Sequence, residues 1–234
     1  MSCLSKSELE ALERELNNHD SEVLGRLREF FLRHDIFPPD FEELCDRLGV
    51  TGRHQRLGIL IAYMIAFWGH EGQERRDKSK YITHPLGALL IYAETAGVGR
   101  LDVALIILIL IHDVVEDTKV TLQMISACLG EECSLDLSSL SKEHGQKGDD
   151  YLIAYLLGII ARGPGVILVK LCDRAHNLET LQPFTEDKRK EKILETQTFH
   201  MLMLLPALRS YGGDYIRMAD ELEQRMNEAI AQYQ

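Results

Sequence analysis

Four ionisable side chains, His112, Asp113, Glu116 and Asp117, crowd into six positions directly after an apolar run at residues 101–111 (LDVALIILILI). Burying carboxylates without partners is very costly, and a bound metal offsets that cost. The doublet His112-Asp113 at the end of a buried segment therefore reads as a metal site. The plainer alternative is a helix that surfaces into solvent with an acidic end. Two further segments bring metal-type ligands to apolar helices: His84, just before Pro85, and Asp173, within VILVKLCDRAHNLETL. Two imidazoles and two carboxylates suit Mn²⁺, Fe²⁺ or Zn²⁺ better than an all-oxygen Mg²⁺ or Ca²⁺ cage. On a continuous helix Glu116 falls four residues after His112 and three after Asp113, on their face, and Asn177 stands in the same relation to Asp173. Glu116 and Asp117 can then take a proton from water that the metal has acidified, so that hydroxide attacks a phosphorus.

Other candidates have simpler readings. Taken alone, His84 is a neighbour of a helix start, and His176 is a packing or hydrogen-bonding residue rather than a fifth ligand. Cys172 reads as a core thiol. His19, His34, His54, His70, His144 and His200 have no spacing that sets them apart. Arg75, Arg76, Lys78 and Lys80 would ordinarily form a solvated loop, and they gain weight by immediately preceding His84.

The elements that must position these groups are helical throughout. Residues 7–32 place Leu9, Leu12, Leu16, Val23, Leu24, Leu27 and Phe31 at helical spacing, Pro38-Pro39 breaks the chain, and Asp40 caps a short helix through Leu48. Residues 1–50 are expected to be a helical extension, and residues 51–234 the main domain. There, 53–70 is an apolar helix, a polar loop leads to a helix from Pro85 to about Gly97, and 102–118 is one buried central helix. Residues 121–129 form a helix closed by Gly130. Residues 131–148 read as a loop with a short helix at most. Helices follow at 149–161, 166–181, 188–210 and 214–233, the last reading as a domain-packing helix.

Composition narrows the function classes. A formal net charge of −11 and a pI near 5.3 argue against a nucleic-acid or membrane-surface binder. An anionic substrate still fits if a metal and the cluster at 75–80 reverse the local field. The five cysteines form no CxxC pair, the N-terminus is polar and acidic, and no apolar run has the length of a membrane span. A cytoplasmic location is expected; a homo-oligomer is left open.

HDVVEDT, preceded by RRDKSKYITHP and followed by VILVKLCDRAHNLETL, resembles the hydrolase half of the RelA/SpoT alarmone enzymes over residues 53–205. The resemblance implies an all-α HD-domain bundle holding one Mn²⁺ between His84, His112, Asp113 and Asp173, with Glu116 and Asp117 as the catalytic acidic pair. It implies that Arg75 contacts the nucleotide and that Asn177 and Thr180 fall on nucleotide-pocket positions; Arg76 and Lys78, from the same basic cluster, are expected as further substrate-binding cations. The implied reaction removes pyrophosphate from the 3′ position of (p)ppGpp, giving GDP or GTP. The family loop reads RKSGEPYI where this chain has RRDKSKYI, LADRLHN has become LCDRAHN, and residues 131–150 diverge. The length leads to the expectation of a small stand-alone hydrolase. The altered loop leaves open adenosine alarmones, (p)ppApp, or the 2′-phosphate of NADPH as substrate, and with them an antitoxin role against an alarmone synthetase. A catalytically lapsed nucleotide-binding regulator is the rival of another class. Against it, all six metal and acidic positions are occupied.

Overall fold

The computed structural model describes residues 45, 46, 48–97, 100–143 and 145–233. The stripe expected within residues 7–32 and most of the helix capped by Asp40 lie outside the described residues. Eleven α-helices follow in chain order, and no strand occurs among the described residues. They are α1 (Arg53–Gly69), α2 (Thr83–Ala96), α3 (Val103–Ile111), α4 (Val114–Asp117), α5 (Leu122–Leu129), α6 (Glu131–Leu140), α7 (Asp149–Arg162), α8 (Pro164–Glu179), α9 (Glu186–Glu195), α10 (Leu202–Arg209) and α11 (Asp214–Ala231). A π-helical turn, Thr196–Met201, joins α9 to α10.

α3 and α8 form the centre. The sequence of α3, VALIILILI, is apolar all round, so it must be enclosed, and Ile106 and Leu108 to Ile111 are fully buried. Each buried Ile or Leu contributes roughly 1.5–3 kcal/mol of transfer free energy. α8 begins with Pro164 in its first turn and buries most of its length against α2, α3, α7, α10 and α11. α1 lies along α3, and α5 pairs with α6. Cys45, Leu48 and Val50 are buried in this same core, so the end of the expected extension packs into the main domain. No described helix is long and apolar enough to cross a membrane.

Two elements differ from the sequence reading. The helix expected over 102–118 breaks after Ile111. The His112 ring donates from Nδ1 to the Ile109 carbonyl (2.7 Å), competing for an acceptor of the helical ladder. Asp113 follows at φ −119°, ψ 0°, and only then does the four-residue α4 begin. Residues 131–140, expected as loop, form α6. Glu131, Glu132 and Ser138 are exposed, while Leu137 and Leu140 are buried, and Gly130 at φ +93° separates α5 from α6.

Candidate active site

The break after α3 places His112 at the end of one buried helix and Asp113 at the start of the next. His84 comes from the first turn of α2 and Asp173 from the middle of α8, and all four side chains are buried. Their donor atoms converge. His84 Nε2 lies 3.1 Å from Asp173 Oδ1, 3.2 Å from His112 Nε2 and 3.9 Å from Asp113 Oδ2. His112 Nε2 lies 3.5 Å from Asp173 Oδ1 and 3.7 Å from Asp113 Oδ2. Ligands bound at about 2.1 Å to a common centre sit roughly 3.0–3.5 Å apart, so this donor set fits a divalent ion of the Mn²⁺, Fe²⁺ or Zn²⁺ type.

Each ligand is oriented from behind, as metal ligands usually are. With Nδ1–H of His112 given to Ile109, its Nε2 is the atom that faces the site. His84 Nδ1 is 2.8 Å from His176 Nδ1, so it is Nε2 of His84 that faces Asp173 and His112. That approach requires Gly87, because a Cβ there would lie 2.1 Å from His176 Nε2. Asp173 accepts from Asn177 Nδ2 (2.5 Å) through Oδ1 and from Lys170 Nζ (2.9 Å) through Oδ2. Asp113 accepts from His70 Nε2 (3.2 Å) through Oδ1 and from the Tyr81 hydroxyl (2.6 Å) through Oδ2.

The electrostatics follow from burying these groups together. Burial pushes the Asp113 carboxyl up, but His112, His70 and His84 outweigh it and hold the group well below the usual carboxylate range. Burial likewise works against the Asp173 charge, and Lys170 with the two imidazoles reverses that. His112 is raised to about 9: burial lowers it, and Asp113 and Asp173 raise it further. His84 is lowered, first by burial, then despite the Asp173 hydrogen bond by the His112 charge. Burial, with Asp113 and Asp117 alongside, lifts the Tyr81 phenol far above its ordinary value and keeps it a proton donor.

Around the ligands lies a cleft of about 250 Å³ lined by Arg75, Tyr81, Glu116, Asp117, Asn177 and the four ligands. Glu116 Oε2 accepts from the Lys142 main-chain N–H (3.2 Å), and the exposed Asp117 accepts from Tyr81 (2.9 Å). Arg75 reaches Thr180 Oγ1 at 2.8 Å, which joins two residues of the expected substrate set, although Thr180 itself does not line the cleft. Nor do Arg76 and Lys78. Arg76 lies over the Phe184 ring at 4.6 Å, and Lys78 pairs with Glu74 at 3.5 Å. The lining is also basic: Lys142, Lys170, Arg174 and Lys192 share it with the carboxylates. Burial and mutual repulsion lower Lys142 and Lys192, as expected of cations gathered around an anion's place. Arg174 Nε is buried without a partner.

The sequence reading missed these cations, as well as His70 and Gln73. Lys170 had a signal, three residues before Asp173 on one helix. His70 closes an apolar helix just as His112 does. Lys142 had none, since only the tertiary fold brings it to Glu116.

No family model matches the chain. Over 175 residues it is 35% identical to the bifunctional (p)ppGpp synthase/hydrolase SpoT of Escherichia coli, covering 72% of this chain and 24% of that protein. It is 34% identical over 147 residues to the guanosine-3′,5′-bis(diphosphate) 3′-pyrophosphohydrolase of Aquifex aeolicus (61% and 20% covered). It is 32% identical over 139 residues to a GTP pyrophosphokinase of Streptomyces coelicolor (58% and 16% covered). The chain thus spans about a quarter or less of the length of these curated relatives. A solved metazoan ortholog of SpoT, described as hydrolyzing ppGpp, superposes with a TM-score of 0.59 at 19% identity, covering 75% of this chain and 94% of that one, which is a likeness of fold. Over the shared segment the chain is a relative of the RelA/SpoT-type enzymes.

Proposed function

We propose that this relative of the RelA/SpoT-type enzymes is a metal-dependent pyrophosphohydrolase that acts on the 3′-pyrophosphate of guanosine alarmones, releasing pyrophosphate and GDP or GTP. The observation that carries the reading is the convergence of His84, His112, Asp113 and Asp173 in a cleft lined by both carboxylates and cations. The relatives named for hydrolysis of this substrate support the choice of substrate.

His84, His112, Asp113 and Asp173 would hold the metal, with Mn²⁺ as the first choice. When bound, it supplies Lewis-acid chemistry, polarising a phosphoryl oxygen and acidifying water. Glu116, held by the Lys142 main chain at the cleft wall, positions the attacking water and accepts its proton. Asp117, more exposed and hydrogen-bonded to Tyr81, passes protons between the cleft and solvent. Arg75, braced by Thr180, holds the nucleotide, and the cations of the cleft draw the phosphates of a polyanion into an otherwise acidic protein.

A release assay with Mn²⁺ across ppGpp, pppApp and NADPH tests the assignment. Pyrophosphate released from ppGpp in preference to the other two is the expected result. Preference for pppApp or NADPH would move the substrate while leaving the chemistry in place. Binding of ppGpp with no release from any of the three, metal present, would make the protein a nucleotide-binding regulator instead.

A further inference from the structure

α4 carries both Glu116 and Asp117, yet it has four residues, far short of the length at which a helix sustains itself in water. Its orientation must come from outside, and two side chains at the end of α1 supply it. His70 is the C-cap of α1 and is 3% exposed; Gln73 follows three residues later. His70 Nε2 donates to Asp113 Oδ1 (3.2 Å), while its Nδ1 lies 2.8 Å from Gln73 Oε1. Gln73 Nε2 in turn donates to the main-chain carbonyl of Asp117 (2.9 Å), one of the carbonyls that a helix end leaves without an internal partner. Asp113 is the N-cap of α4 and Asp117 its last residue, so the pair grips the short helix at both ends.

The His70 ring is itself fixed. It stacks on Tyr81, with centroids 4.0 Å apart and planes 14° from parallel, and the Tyr81 hydroxyl bonds to Asp113 Oδ2. One oxygen of Asp113 is thereby committed to His70, and the other is turned toward His84 and His112.

We propose that His70 and Gln73 are positioning residues: His70 sets which oxygen of Asp113 faces the metal, and Gln73 transmits that register to the main chain beneath Glu116 and Asp117. The inference rests on the metal-site reading above and is tested separately from it by Mn²⁺ titration calorimetry on the full chain, alongside steady-state kinetics. His70→Leu is expected to weaken Mn²⁺ binding about 10- to 100-fold, the usual effect of losing an outer-shell partner. His70→Gln, whose amide N–H can still reach Asp113, should recover at least half of that loss on a logarithmic scale. Gln73→Ala should leave Mn²⁺ affinity within about threefold and lower kcat roughly tenfold at unchanged KM, since small misplacements of catalytic groups cost that much or more. Folded His70→Leu with wild-type Mn²⁺ affinity would overturn the proposal, as would a Gln73→Ala variant whose kcat is unchanged. Should His70→Leu not fold, His70→Gln and Gln73→Ala still decide, because a purely structural role would move their thermal midpoints without moving metal affinity or kcat. A wild-type protein that binds no Mn²⁺ would overturn the metal-site reading itself and this inference with it.

Discussion

Asp113 Oδ2 meets two imidazoles and a phenol within 4 Å, while Glu116, three residues on, bonds only to a main-chain amide. The proposed function assigns the two carboxylates different tasks accordingly, Asp113 holding a cation and Glu116 handling a proton. Glu116→Gln keeps the size and the hydrogen bond but cannot accept a proton. It should retain Mn²⁺ affinity in calorimetry and lose about 10²- to 10⁴-fold in kcat, the range for a general base. An unaltered kcat would remove Glu116 from the chemistry. His112 carries a second prediction. In the metal-free protein its imidazole is raised to about 9, above its ordinary 6.5. The stability this proton contributes is fully present below the ordinary value and is lost as pH rises through about 9. Because Mn²⁺ must displace that proton, its affinity should climb roughly tenfold per pH unit from pH 7 and flatten above about 9. Calorimetry at pH 7, 8 and 9 checks the slope; a flat profile would show that His112 is not a ligand.

At the scale of elements, what was legible in the sequence is what depends on local pattern. The apolar run of α3 and the Gly130 stop lie where periodicity and turn chemistry put them, whereas α8 starts at Pro164, two residues before the expected 166. The break between α3 and α4 was not legible. It arises from a side chain competing with the backbone, and nothing in LDVALIILILIHDVVEDT marks which of the two prevails. The helix at 131–140 was masked by its polar composition, because only Leu137 and Leu140 had to face the core.

The loop after α1 also became clear only in three dimensions. Without the glycine and proline of RKSGEPYI, it still closes through a Glu74–Lys80 bridge and an Asp77 side chain that accepts from the Ser79 N–H, leaving Lys78 at φ +72°. Left-handed backbone costs a non-glycine residue about 1–2 kcal/mol, more than the roughly 0.4–1 kcal/mol that glycine adds to the entropy of the unfolded chain. Lys78→Gly should therefore stabilise the fold, raising the urea midpoint; a lowered midpoint would contradict this account of the loop. Packing between α2 and α8 gives the reverse case. Gly87→Ala puts a methyl group onto the His176 ring. It should break the His84–His176 hydrogen bond and weaken Mn²⁺ binding about tenfold or more, read by the same calorimetry. An unchanged affinity would show that His176 does not orient His84.

Across the whole molecule, helices distant in sequence have one shared product. α2, the α3–α4 break and α8 bring His84, His112-Asp113 and Asp173 together from positions 89 residues apart, counted from 84 to 173. α3 and α8 are buried beneath that convergence, and against the chain's net charge of −11 the cations lining the cleft are a local exception. Residue types and motif spacing single out His84, His112, Asp113, Asp173, Glu116 and Asp117, and the fold brings all six to one cleft. The cleft cations Lys142, Arg174 and Lys192, and the His70–Gln73 brace, depend on contacts that no spacing rule encodes. In the proposed function His84, His112, Asp113 and Asp173 hold a metal which, with Glu116 and Asp117, cleaves a 3′-pyrophosphate. The most direct test is pyrophosphate release from ppGpp by the full chain with Mn²⁺, measured against Asp113→Ala at equal helical content. Mn²⁺-dependent release by the wild type, and none above background by the variant, is the predicted result. Undiminished Mn²⁺-dependent release by Asp113→Ala would contradict it.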